Sequence, residues 1–289
     1  MKFIQSEQCL CCDSRIIKSS PAVLMPFVSH RIFGYAPIEI DNSWGLHTIK
    51  KGILYTRVNT LCCQSCGFIF LDLRFTEDQI TKLYDNYRDK NYEDLRDSYE
   101  PGYKKRNSNL TKGIDYLDER ESFIKPFLSS QDNLNILDWG GNDGLNTPFN
   151  KNKNNIFLYD PSEVKSFDAD KIKKVNLNNF DDHEYDLIVC NHVLEHVTYP
   201  DQVLNNFKKA LLKGGYIYLE VPRERLVAES NSLIPDFTKK RHWHEHINFF
   251  TEQSLIQLFE KTDLNICSIK LSNTDAPGNF DSFWKIILN

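Results

Sequence analysis

This chain of 289 residues has no surplus of positive charge: 35 Lys and Arg stand against 40 Asp and Glu, for a formal net charge of −5. Binding along a phosphate backbone draws on a basic excess, so the balance disfavours a nucleic-acid partner. Long apolar runs are missing as well. The longest, such as "GFIFL" and "LIVC", fall far short of the roughly 20 residues that span a bilayer. The opening "MKFIQSEQCL" has no apolar core of the kind that marks a secretory signal. A cytoplasmic location with no membrane span is expected. What the chain does have is 40% hydrophobic residues, enough for one large domain or two modest ones. It also has eight cysteines, six of them before residue 67. In a reducing compartment that clustering points to metal ligation rather than disulfides.

Three regions can be distinguished. Residues 1–75 hold the clustered cysteines and several prolines with no long amphipathic helix, which predicts a small, loop-rich module needing a metal to fold. Residues 76–130 form a helical linker or lid: "TEDQITKLYDNY" opens with a capping box, Thr76 to Gln79, and "GIDYLDERESFIKPFL" reads as a second helix. Residues 131–289 alternate strands ("LNILDWG", "NIFLYDP", "KIKKVNL", "YDLIVCN", "GGYIYLEVP", "LNICSIKL") with helices ("HVLEHVTYPDQVLNNFKKALL", "TEQSLIQLFEK"). This alternation predicts an α/β fold, a parallel sheet with helices on both faces, with ligands at the carboxyl ends of its strands.

Two of those strand ends carry a linked signal. "LDWGGNDG" places Asp138 at the end of the first strand, before Gly140, Gly141 and Gly144 in a tight turn that should lead into a helix N-terminus. "IFLYDP" ends in Asp160, about twenty residues on, where an acid accepts hydrogen bonds from ribose hydroxyls. The turn lacks full G-x-G-x-x-G spacing, which favours a cofactor with a single nucleoside over a dinucleotide. "HVLEH", His192 to His196, matches the H-x-x-E-H of zinc peptidases, but its place after a sheet strand favours pocket lining or helix packing. Near the N-terminus, Cys9-x-x-Cys12 and Cys63-x-x-Cys66 form two hooks suited to a closed four-thiolate zinc site, a structural one. Cys11 and Cys62 are alternatives in register.

Together these stretches resemble the class I S-adenosylmethionine-dependent methyltransferases, over about Leu134 to Lys270. "LDWGGNDG" looks like that family's glycine loop, "LYDPS" like its ribose-binding strand end, "YDLIVCNHVLEHVTYP" like its fourth strand and helix, and "LLKGGYIYLEVP" like its fifth strand. The resemblance implies a Rossmann-like sheet and S-adenosylmethionine as cofactor, held by Asp138, Gly140, Gly141, Asn142, Gly144, Asp160, Asn176, Leu177 and Asn191. Asn142 stands where the family has its middle glycine, and Asn is among the few residues that tolerate left-handed backbone.

The stretch "TLCCQSCGFIFLDLRFTEDQITKLYDNY" is similar to the zinc-binding head of a narrower group, methyltransferases of nucleotide-linked deoxysugars. That group has a Y-H-E-H stretch after its fifth strand, matched here by Trp243, His244, Glu245 and His246 within "RHWHEHINFF". The resemblance makes His244, Glu245 and His246 the catalytic candidates, with His246 as base. In an extended strand His242, His244 and His246 would share one face, which leaves a three-histidine metal site or a structural strand as alternatives. With Trp243 in place of the tyrosine, O-methylation of a sugar or nucleotide-linked sugar for a bacterial surface glycan is favoured over C-methylation. An RNA methyltransferase and an inactive partner protein with this fold are the competing functions.

Overall fold

The computed structural model describes residues 4–5, 8–45, 47–87, 89–110, 117–162, 164–273 and 282–289. In chain order the first part runs β1 (Ile4–Gln5), β2 (Ile17–Leu24), α1 (Pro26–Phe33), β3 (Ile38–Ile40), β4 (Gly52–Leu54), β5 (Arg57–Cys63), β6 (Ile69–Leu71) and β7 (Leu73–Arg74). Helices α2 (Glu77–Tyr84), α3 (Lys90–Tyr99), α4 (Tyr103–Leu110) and α5 (Leu117–Ile124) follow. Next come β8 (Asn135–Trp139), β9 (Asn155–Tyr159), β10 (Ile172–Lys174), β11 (Tyr185–Asn191), α6 (Pro200–Ala210), β12 (Leu211–Arg223) and α7 (Arg225–Ala228). The chain ends with β13 (His242–Trp243), β14 (Asn248–Phe249), α8 (Glu252–Lys261), β15 (Ile266–Asn273) and β16 (Ser282–Leu288).

The large sheet has the order β10-β9-β8-β11-β12-β16-β15, with the first five strands parallel and β16 antiparallel to both its neighbours. Chain direction through the sheet reverses between β8 and β11, which opens a crevice at their carboxyl ends. All six strands read from the sequence are present. The seventh, β16, was not read: its seven residues are all buried, so "SFWKIIL" lacks the alternation that marks a half-exposed strand. Its Lys285 is buried and reaches Glu119 of α5 at 2.5 Å. One sheet face packs on α6 and α8 through Leu204, Phe207, Leu255 and Phe259, the other on Ile124 of α5 and on Phe149.

Two expectations about helices are corrected. No helix follows the glycine turn: residues 140–154 form successive turns. Nor does the fourth-strand helix begin at "HVLEH"; it starts eight residues later, with Pro200 in its first turn, a position where the missing N–H costs nothing. His192 itself is left-handed, at φ 53°, which no helix interior accommodates. The expected capping box does form, and α8 has a second one. Thr76 and Gln79 exchange side-chain and backbone hydrogen bonds at the start of α2, and Thr251 and Ser254 do so at α8.

The cysteine-rich region is more ordered than its sequence pattern suggests. It forms a five-stranded sheet, β13-β2-β5-β6-β14. Both edge strands come from residues 242–249, and Trp243 Nε1 donates to Thr60 Oγ1 of β5, 183 positions away in the chain, at 2.8 Å. Trp243 is fully buried there beside Phe249. That strand exchange brings His246 against His196 of the loop after β11.

Candidate active site

The turn after β8 is built around two glycines. Gly140 is left-handed, at φ +80°, and a Cβ there would lie 2.4 Å from Val193. A Cβ at Gly141 would meet the Asp138 carboxylate at 2.3 Å. Only glycine lets the backbone close over that acid. Asp138 accepts from Thr147 Oγ1 at 2.6 Å, and burial pushes its carboxyl up to about 6. Asn142 takes the left-handed conformation, φ 57°, and its backbone N–H donates to Asp160 Oδ2 at 2.8 Å. The turn after β8 is thereby tied to the end of β9. The other Asp160 oxygen accepts from Ser162 N at 2.8 Å and Oγ at 2.5 Å.

These groups open onto a cavity of about 540 Å³ at the carboxyl ends of β8, β9 and β11. Gly140, Asn142, Asp160 and Leu177 line it, as do Trp139 and Tyr159, whose rings lie 4.1 Å apart. Ile80, Tyr84 and Tyr87 from α2 and the turn after it line it too, with His192, His196 and Tyr199. The other residues expected at the cofactor, Asp138, Gly141, Gly144, Asn176 and Asn191, are not among those that line the cavity. Gly144 (φ +84°) completes the turn. Asn176 is occupied in a local turn with Asn178 and Asn179. Asn191 ends β11 with a buried Oδ1 that has no hydrogen-bond partner among the described residues.

The histidine-rich stretch does not stay extended. Only His242 and Trp243 pair as a strand, parallel to β2. The rings of His242 and His244 are 5.6 Å apart, but His246 turns away, and no three-histidine site is assembled among the described residues. His244 Nδ1 lies 3.4 Å from Glu100 Oε1. Glu245 is buried and held by both Nη atoms of Arg96, the second at 3.1 Å. Burial works to raise the Glu245 carboxyl, but the Arg96 guanidinium overrides it and holds the group at about 2. His246 Nδ1 contacts Glu224 Oε1 at 2.5 Å. Burial alone would lower this imidazole; Glu224, with Glu195 behind it, brings it up to about 9 instead.

The loop after β11 meets this stretch. The backbone oxygen of Glu195 accepts from Ile247 N at 2.8 Å and Asn248 N at 3.1 Å. The His196 and His246 rings stand perpendicular, 4.5 Å apart. His196 Nδ1 lies 2.8 Å from the Tyr84 hydroxyl and 3.1 Å from the Glu245 carbonyl. Burial and the neighbouring His246 charge push His196 down to about 3, so it is neutral at pH 7. Tyr84, Glu195, His196 and Glu224 did not emerge from the sequence as a site. The only trace was "HVLEH", two histidines and an acid placed just past a strand end.

A methyltransferase-domain family model matches residues 105–269, more than half of the chain. The chain belongs to the methyltransferase-domain family. It is an S-adenosylmethionine-dependent enzyme. Solved structures similar to this methyltransferase include a 1,6-didemethyltoxoflavin N1-methyltransferase from Burkholderia thailandensis with bound S-adenosylhomocysteine. That one is 14% identical over 67% of this chain and 86% of the other, with a TM-score of 0.47. The glycopeptide N-methyltransferase MtfA is 12% identical over 65% and 97%, TM-score 0.46. The magnesium protoporphyrin IX methyltransferase of Synechocystis is 13% identical over 67% and 97%, TM-score 0.46. No curated protein matches the chain.

Away from the cavity, the methyltransferase gathers the thiols of Cys9, Cys12, Cys63 and Cys66 within 4.8 Å of one another. Cys9 and Cys66 sulfurs are 3.6 Å apart, as are those of Cys12 and Cys63. Four thiolates on one tetrahedral zinc, at about 2.3 Å each, would be spaced by roughly 3.8 Å, so the donor set fits that ion. Cys11 and Cys62 are buried outside this group. Burial pushes both thiols up, Cys62 to about 12, which keeps them neutral. No described helix is long and apolar enough to cross a membrane.

Proposed function

We propose that this methyltransferase methylates a hydroxyl of a sugar or nucleotide-linked sugar, in the building of a bacterial surface glycan. The observation that carries the reading is one cavity lined both by Gly140, Asn142 and Asp160 and by Tyr84 and His196. The sugar itself rests on the likeness of "TLCCQSCG" and "HWHEH" to the zinc-headed deoxysugar enzymes. In this reading the Asp160 carboxylate accepts from the ribose hydroxyls, and Leu177 lies against the adenine. Asp138, Gly141 and Gly144 set the shape of the turn, while Asn176 and Asn191 frame its far side. S-adenosylmethionine supplies an electrophilic sulfonium methyl.

The acceptor oxygen must approach that methyl in line, so the cavity walls contribute mainly by positioning. As the new O–C bond forms, the hydroxyl proton leaves toward His246 in its deprotonated form. That form is the minor one at pH 7, because Glu224 brings the imidazole up to about 9, so turnover should rise with pH toward that value. Glu224 stabilises the positive charge that collects on His246. Because the Glu245 carboxylate is committed to Arg96, we assign Glu245 and His244 a positioning role for the segment that carries His246. Cys9, Cys12, Cys63 and Cys66 hold a structural zinc in the module of residues 1–75. Residues 76–130 link it to the catalytic domain of 131–289.

Methyl transfer to a panel of nucleotide sugars, followed by mass, tests the reading. A product heavier by one methylene and stable as an ether is expected. His246→Ala should lower turnover by about 10²- to 10⁴-fold while S-adenosylhomocysteine binds as before. Full turnover in that variant would remove His246 from the proton path.

A further inference from the structure

Glu195 is fully buried, and neither carboxylate oxygen has a hydrogen-bond partner among the described residues. A buried carboxylate without hydrogen bonds is costly, and proteins keep one where an ion or a proton compensates it. Around it stand the groups that would do so. Its Oε1 lies 3.8 Å from His196 Nε2. One ligand atom each from Glu195, His196 and His246 falls within 4.8 Å of the other two. We propose that these three residues form a second metal site, beside the cavity, for a divalent first-row transition ion.

The surroundings of both histidines suit that role. A metal-bound imidazole usually donates its other ring N–H to a carboxylate or a backbone carbonyl, which fixes the tautomer and turns the ring. His246 Nδ1 is engaged by Glu224 at 2.5 Å, leaving Nε2 to coordinate. His196 Nδ1 faces the Glu245 carbonyl at 3.1 Å. A carbonyl can only accept, so a proton on Nδ1 satisfies it and leaves the Nε2 lone pair toward Glu195. Two imidazoles and one carboxylate make a mixed nitrogen and oxygen set, unlike the four thiolates at the cysteines, and select for different ions.

The site stands on this geometry; its use in catalysis rests on the function proposed above. A proton and an ion compete for the same two nitrogens. With an ion bound, it would polarise the acceptor hydroxyl, whose proton would pass to water instead of to His246.

The test is a Mn²⁺ titration of the full-length, zinc-loaded protein, read by electron paramagnetic resonance, since Mn²⁺ prefers oxygen and nitrogen ligands over thiolates. One bound Mn²⁺ per chain is expected. Glu195→Gln should abolish it, and Glu224→Gln, which leaves all three ligands in place, should weaken it by about 10- to 100-fold. Unchanged zinc content and circular dichroism will show that each variant is folded. No Mn²⁺ bound by the wild type, or binding that Glu195→Gln leaves unaltered, overturns the site. S-adenosylhomocysteine titrated on the same samples separates the two proposals: if it binds while Mn²⁺ does not, only the metal site falls.

Discussion

The two clusters able to hold a metal differ in how their members are spaced along the chain. The cysteines come as two short hooks, Cys9 with Cys12 and Cys63 with Cys66. Each is shaped by its own turn, and pairing of β2 with β5 brings Ile17 opposite Cys63. Glu195 and His196 are neighbours, but His246 arrives from fifty residues further on, and only because residues 242–249 supply both edges of the cysteine-rich sheet. One cluster is made by local geometry and the other by topology. The first should therefore govern whether the module folds, and the second what happens in the cavity.

The largest effect that would sharpen this contrast is Cys63→Ser. Structural zinc contributes about 10–16 kcal/mol of binding free energy in small metal-dependent modules, comparable to the whole stability of a domain. Cys63→Ser should lose zinc and the cooperative unfolding of the five-stranded sheet, checked by metal analysis and calorimetry. An unchanged melting profile would break the comparison.

Arg96→Leu is next. It leaves the Glu245 charge buried and unpaired, a loss of about 3–5 kcal/mol at neutral pH. Because the folded Glu245 carboxyl lies at about 2, the pair's contribution is complete above the ordinary carboxylate value. It fades as pH falls from there toward about 2. Denaturation curves of wild type and variant should converge on acidification; a gap that stays constant would show that the ion pair is not its source.

The smallest effect expected is from Cys62→Ala, on the order of 1 kcal/mol for a buried side chain truncated outside the metal cluster. Zinc content should not change, and a loss of zinc would move Cys62 into the ligand set.

How far the sequence could be read follows the same division. Capping residues, the glycine turn and the strands of the large sheet are local, and Thr76, Asn142 and Asp160 all occupy places their residue types suggest. β16 has no apolar alternation because it is buried along its whole length, and "HVLEH" carries helix-like apolar spacing across a loop that tertiary contacts hold open. Glu224 lies 22 residues from His246, and Tyr84 lies 112 from His196. No spacing rule connects them.

The cavity lined by Asp160 and the turn after β8 is the predicted cofactor site, and titration calorimetry with S-adenosylhomocysteine tests it most directly. Wild type should bind one molecule per chain, and Asp160→Ala should bind roughly 10- to 100-fold more weakly, as the loss of charge-assisted hydrogen bonds implies. Equal binding by both proteins, or none by the folded wild type, would contradict it.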